Sequence, residues 1–158
     1  MLDSLFSFFS PQTHFLKQYP KKRLPNFLLL DSLTLSVLPT FDWATEIAMC
    51  EDVAIVSGFH SKMEREVLNY LLRRRCGIIC VLARSIYQQI SAKYREAYNQ
   101  IRVLFITVID SPNTTTVSKD RAVKRNQLVA SLADELVFSS ITSISSLFSI
   151  YKTSSKSK

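Results

Sequence analysis

The sequence predicts an α/β fold with a mostly parallel sheet of about five strands and helices on both faces. Three observations carry this. Strand-like and helix-like segments alternate from residue 27 onward. The strand-like segments are near-continuous apolar runs rather than alternating ones, as expected of strands buried on both faces. The chain has 158 residues, 47% of them hydrophobic, which suits one domain with a substantial core.

In chain order, residues 1–26 read as an N-terminal arm. The stretch "SPQTHFLKQYPKKRLPN" carries three prolines and the basic cluster Lys21, Lys22 and Arg23. Proline removes an N–H donor and restricts its predecessor, so long regular structure is not expected there. His14 lies in the arm and is assigned no chemistry. The domain is expected over 27–152. "LTLSVL" (33–38) is β-rich and reads as the first strand. "FDWATEIAMCED" (41–52) reads as a helix, with Thr40 or Asp42 near its start. "VAIVS" (53–57) is a buried-strand run. "KMEREVLNYLLRRR" (62–75) places Met63, Val67, Tyr70 and Leu71 at helical spacing. Gly77, one of only two glycines, follows that basic end and reads as a helix stop before the strand "GIICVLA" (77–83). A helix over 87–100, the strand "IRVLFITVI" (101–109), a polar loop (111–120), a helix over 121–134, a short strand (135–140) and a final helix (141–152) complete the domain. Residues 153–158 are expected to be a disordered basic tail.

A net charge of +7 favours acidic partners such as nucleic acid, nucleotides or an anionic surface, although part of the excess sits in the "KTSSKSK" tail. The three cysteines form no CxxC pair, so neither a disulfide framework nor a zinc site is expected, and a reducing cytoplasm fits. The opening "MLDSLFSFFSPQ" is apolar but short and lacks a basic n-region, so it does not read as a signal peptide. No apolar run reaches the roughly 18 residues of a membrane span, so no membrane partner is expected.

In parallel sheets, ligands bind beyond the carboxyl ends of the strands. Three such ends carry polar residues here. After the second strand comes the turn Ser57, Gly58, Phe59, His60, Ser61, followed by Glu64 in the first helical turn. Gly58 is expected to permit a tight turn and close ligand approach. The helix start is expected to offer free N–H groups to a phosphate, and Glu64 either complements that end or faces the ligand. Arg84 and Ser85 follow the third strand. Arg121, Lys124, Arg125 and Asn126 gather at the opening of a helix, where cations oppose the macrodipole. There is no GxGxxG, no Walker A loop, no GxSxG elbow and no metal-ligand spacing. No cofactor is expected, and no complete catalytic motif is visible.

The stretches "SGFHSKMEREVLNYLLRRRCGIICVLARSI" and "DRAVKRNQLVASLADELVF" resemble the DprA/Smf (DNA-processing protein A) family. The resemblance is strongest to short DprA-like proteins, which carry a GFHS-x-ME-x-E stretch, an ARSI stretch and an RN-x-x-V-A-x-L-A-D stretch in this order. It covers roughly residues 33–150. It implies a Rossmann-like three-layer sandwich of the SLOG/LOG superfamily. It also implies binding of single-stranded DNA in uptake and recombination, with the recombinase RecA as a further partner, and homodimers are common in the family. Ser57 and Gly58 match the family's Ser-Gly turn near the bound phosphates. Arg125 and Asn126 match its Arg-Asn pair. The chain departs from the pattern in two places: "PTFDW" stands where a Gly-Ser-Arg loop follows the first strand, and "SSITSISS" replaces a glycine-rich stretch. The PGGxGTxxE motif of the phosphoribohydrolases is absent.

Two functions are therefore carried forward. The first is a binding protein that recognises phosphates of single-stranded DNA or a nucleotide through Ser57, Gly58, Phe59, His60, Ser61, Glu64, Arg84, Ser85, Arg121, Arg125 and Asn126. The second is a sensor of a nucleotide-derived ligand or a nucleotide-processing enzyme, with His60 or Glu64 as acid or base.

Overall fold

Apolar runs become strands wherever the computed structural model describes the chain, which is at residues 25–27, 44–109, 111, 113–138 and 147–155. In chain order the elements are β1 (Pro25–Phe27), α1 (44–48), β2 (Ala54–Ser57), α2 (Lys62–Leu71), β3 (Gly77–Leu82), α3 (Ala92–Asn99), β4 (Val103–Thr107), α4 (Lys119–Leu132), β5 (Glu135–Val137) and α5 (Phe148–Ser155). The sheet order is β4-β3-β2-β1-β5, and every pairing is parallel. Ala54 to Ser57 stand opposite Gly77 to Cys80, and Ile78 to Leu82 stand opposite Val103 to Thr107.

Because side chains alternate along a strand, each apolar run feeds two cores. Ile55, Ile78, Cys80, Leu82, Val103 and Phe105 pack under α1, α2 and α3, against Ala44, Ala48, Val67, Leu68, Leu71, Tyr94 and Ala97. Ala54, Val56, Ile79, Val81 and Leu104 face the other way, toward Val129 of α4 and Leu147. Helix, sheet and helix thus form three layers, and the parallel strands bring the ends of β2, β3 and β4 to one rim.

Several boundaries differ from expectation. The strand expected at 33–38 lies outside the described residues. Pro25–Phe27 instead forms a strand between β2 and β5, across the boundary placed between arm and domain. Proline is tolerated there as the strand's first residue. Gly77 does not stop α2. It is the first residue of β3, and neither glycine has positive φ. The carbonyls beyond α2 are met by Arg102, whose Nη2 donates to Leu72 O (3.0 Å) and Nη1 to Cys76 O (3.3 Å). Tyr87 precedes α3 rather than opening it, and packs edge-on against Phe105 with ring centroids 5.4 Å apart. Helix α5 runs through Ser155, into the segment expected as tail, while residues 141–146 and 156–158 lie outside the described residues. Among the described residues, no helix is long and apolar enough to cross a membrane.

Candidate phosphate-binding rim

The turn after β2 is built around one carboxylate. Ser61 caps α2: its Oγ accepts from the Glu64 N–H (3.2 Å), while Glu64 Oε2 accepts from the Ser61 N–H (2.7 Å), which closes a capping box. The same Oε2 also accepts from the His60 N–H (3.0 Å), and Oε1 accepts from the buried Ser57 hydroxyl (2.6 Å). Ser57 Oγ in turn accepts from the Phe59 N–H at 3.3 Å. The N–H groups of residues 59, 60 and 61 therefore already point at oxygens of the chain itself. The turn is an anion-binding nest filled by its own glutamate. Of the N–H groups expected to be free for a phosphate, those of residues 59, 60, 61 and 64 are thus already taken within the turn.

Gly58 also plays a different part from the one expected. Its backbone is not left-handed. The left-handed residue of the turn is Phe59, at φ 46°, with its side chain buried in the core beneath α2. What Gly58 provides is space: a Cβ there would come within 2.5–2.8 Å of Arg125 Nε, Cζ and Cδ. The Arg125 guanidinium lies against the bare glycine and donates from Nε (3.0 Å) and Nη2 (2.8 Å) to Asn126 Oδ1. Both residues are buried. Burial lowers the Arg125 pKa, and the negative charge of Glu64 opposes that shift. The Ser-Gly turn and the Arg-Asn pair, 67 residues apart, are thus one packed unit. Arg125 and Asn126 sit in the second turn of α4. The helix opens at Lys119, where Ser118 Oγ accepts from the Arg121 N–H (3.3 Å).

Beyond β3, Ser85 is fully engaged. Its hydroxyl donates to Ser111 O (2.6 Å) and accepts from the Thr114 N–H (2.7 Å), and its own N–H donates to Thr114 O (2.9 Å). Thr107 Oγ1 donates to Arg84 O at 2.6 Å. These bonds lock the loop after β3 to the loop after β4. Arg84 itself is half-buried, with its guanidinium over the Tyr87 ring (5.1 Å to the centroid), and its Nε is buried without a hydrogen-bond partner among the described residues. Arg121 Nη1 donates to Thr116 O (2.9 Å), Lys124 is exposed and His60 is exposed.

The structure therefore divides the sequence-predicted site. Ser57, Phe59, Ser61, Glu64 and Ser85 shape the rim from within, and Phe59 and Tyr87 are occupied in the core rather than presented as free stacking platforms. Arg84, Arg121 and His60 are at least partly open to an incoming anion, while Arg125 and Asn126 lie buried behind them as a bonded pair. Thr107 was not singled out from the sequence, because a threonine at the end of an apolar strand carries no special signal.

The solved structure of DNA processing protein A from Helicobacter pylori, characterised for its single-stranded DNA binding mode, is similar to this chain with a TM-score of 0.62 and 16% sequence identity. The similarity covers 91% of this chain and 64% of that protein, so this chain spans less than two thirds of its length. At that identity the likeness is one of fold, and it agrees with the Rossmann-like sandwich expected. No curated protein sequence matches the chain. The model of the DNA recombination-mediator protein A family matches residues 41–151, from the segment leading into α1 through to α5, and the chain belongs to that family.

Proposed function

We propose that the rim above β2, β3 and β4 binds the phosphates of single-stranded DNA. The observation that carries this is Arg84. Its Nε is a buried donor with no acceptor among the described residues, a state that costs about 1–3 kcal/mol unless something supplies an oxygen. A phosphate does so and matches the guanidinium fork. Arg121 and Arg125 add charge on the neighbouring helix, with Asn126 fixing the orientation of Arg125. Family membership supports a role in DNA uptake or recombination, with a recombinase as a further partner. The single-stranded DNA bound by the H. pylori protein supports the choice of ligand. An acid–base role for Glu64 is disfavoured, because both its oxygens already hold the turn.

The test is fluorescence anisotropy with labelled oligo-dT across a salt series. The logarithm of affinity should fall linearly with the logarithm of salt concentration. Arg84→Ala and Arg121→Ala should each weaken binding roughly tenfold, the scale of one charge-assisted bond, with unchanged far-UV circular dichroism. Absence of binding at low salt would overturn the proposal. Salt-insensitive binding of a free nucleotide in its place would favour a sensor of a nucleotide-derived ligand.

A further inference from the structure

The N-terminal ends of β2, β3 and β4 make up the opposite rim. Backbone bonds gather the segments leading into them. The Arg75 N–H donates to Ala48 O (3.3 Å), the Gly77 N–H to Val53 O (2.8 Å) and the Ile78 N–H to Arg102 O (2.7 Å). Arg102 also reaches Leu72 O. Met49, Arg73, Arg74 and Ile101 each lie within two residues of one of these ties, and all four are exposed. Met49 at 59% and Ile101 at 37% are two of the large apolar side chains most open to water.

Ile101 stands out further. The Ile101 N–H donates to Tyr98 O and the Arg102 N–H to Ala97 O, each at 2.9 Å, which is the Schellman pattern at the end of α3. That pattern puts Ile101 in the left-handed region, at φ 58°. Glycine is the residue suited to this position, and a β-branched residue there is an outlier. The chain holds an apolar branched side chain out in water at a site where glycine would fold more easily. Such an outlier supports a hypothesis of function. Beside it, Arg75 is paired with Glu51 at 2.6 Å, while Arg74 lies over the Tyr70 ring and, among the described residues, no carboxylate pairs with Arg73 or Arg74.

We infer that this rim docks an acidic segment of a partner protein that carries apolar side chains. Its carboxylates meet Arg73 and Arg74, and its apolar groups cover Met49 and Ile101. Nucleic acid fits less well, because a phosphate backbone would leave the exposed Met49 and Ile101 side chains uncovered. A second copy fits less well because each chain carries +7 and would bring its own arginines.

The probe is a labelled synthetic peptide of Glu, Asp, Leu and Phe, beside a control peptide with Leu and Phe replaced by Ser, titrated into the full chain. Binding of the first peptide should exceed that of the control at least fivefold. It should weaken at least tenfold in Arg73→Glu/Arg74→Glu and at least fivefold in Ile101→Gly. The Ile101→Gly chain should also melt at a higher temperature than the parent, which separates loss of contact from loss of fold. Equal binding of the two peptides would overturn the inference. So would unchanged binding in the variants, loss of oligo-dT binding in Arg73→Glu/Arg74→Glu, or a dimer in sedimentation that the same variants dissolve.

Discussion

A methyl group on residue 58 would land 2.5 Å from Arg125 Nε, 2.6 Å from Cζ and 2.8 Å from Cδ. No real Cβ sits that close, so in Gly58→Ala the guanidinium must leave its place and with it the two bonds to Asn126. The φ of Gly58 is one alanine can adopt, so the effect isolates packing from backbone strain. Overpacking of this kind costs about 1–3 kcal/mol. Gly58→Ala should therefore destabilise the chain by that amount and weaken oligonucleotide binding together with it. Truncating the intruded side chain should relieve the clash, so Gly58→Ala/Arg125→Ala should be less destabilised than the sum of its single changes. Strict additivity in urea melts would mean that the two residues do not meet. The sequence marked both residues as special, one as a lone glycine at a strand end and the other in the Arg-Asn pair. It could not show that they touch, because nothing in their local spacing records a contact made across the sheet. Nor could it show that the left-handed residue of the turn is Phe59. Residue type assigns that role to the neighbouring glycine, and burial of the phenylalanine ring in the core overrides the preference.

At the scale of elements, the three apolar strands β2, β3 and β4 were legible, whereas β1 and the helix ends were not. The segments 53–57, 77–83 and 101–109 contain β2, β3 and β4 because strands covered on both faces need apolar side chains at every position. The end of α2 is different. The segment after Leu71 offers no left-handed glycine, and its carbonyls are met by an arginine thirty residues downstream. Arg102 is buried, with Nε on Gln100 Oε1 (2.8 Å) and its two terminal nitrogens on Leu72 O and Cys76 O. It ties the turn entering β3 to the turn entering β4. Arg102→Met keeps the stem and removes the donors, leaving two carbonyls without their partner, and should cost about 2–3 kcal/mol. The urea midpoint should fall with an unchanged slope, and amide exchange should accelerate most around residues 72–78. A midpoint within error of the parent would show that water caps those carbonyls equally well.

For the whole molecule, the layering was legible but the strand order was not. Continuous apolar runs announce two covered faces. They do not say that β1 lies between β2 and β5, or that α4 crosses to the face opposite α1, α2 and α3. The same two-sided burial has a consequence for pH. Cys80 lies in the central run of β3, where burial pushes its thiol far up, with Lys93 only partly opposing. Cys76, just before β3, is pushed up to about 11 by burial, with the Arg102 charge pulling the other way. Burial also raises the Tyr94 and Tyr87 hydroxyls. These groups stay neutral in the folded chain at pH values where the unfolded chain ionises them. The folded state then holds more protons than the unfolded one, so stability falls as pH rises. The loss starts near the ordinary thiol pKa of about 8.5. It continues for Cys76 until about pH 11, where the folded thiol also ionises, and for Cys80 beyond that. Each thiol contributes a slope of up to about 1.4 kcal/mol per pH unit. Urea unfolding followed from neutral pH upward should therefore show a plateau and then a decline above about pH 9. Cys80→Ala should lower the plateau, by opening space in the core, but reduce the alkaline slope. A variant that keeps the parent's full slope would show that the buried β3 thiol is not what makes this sheet sensitive to base.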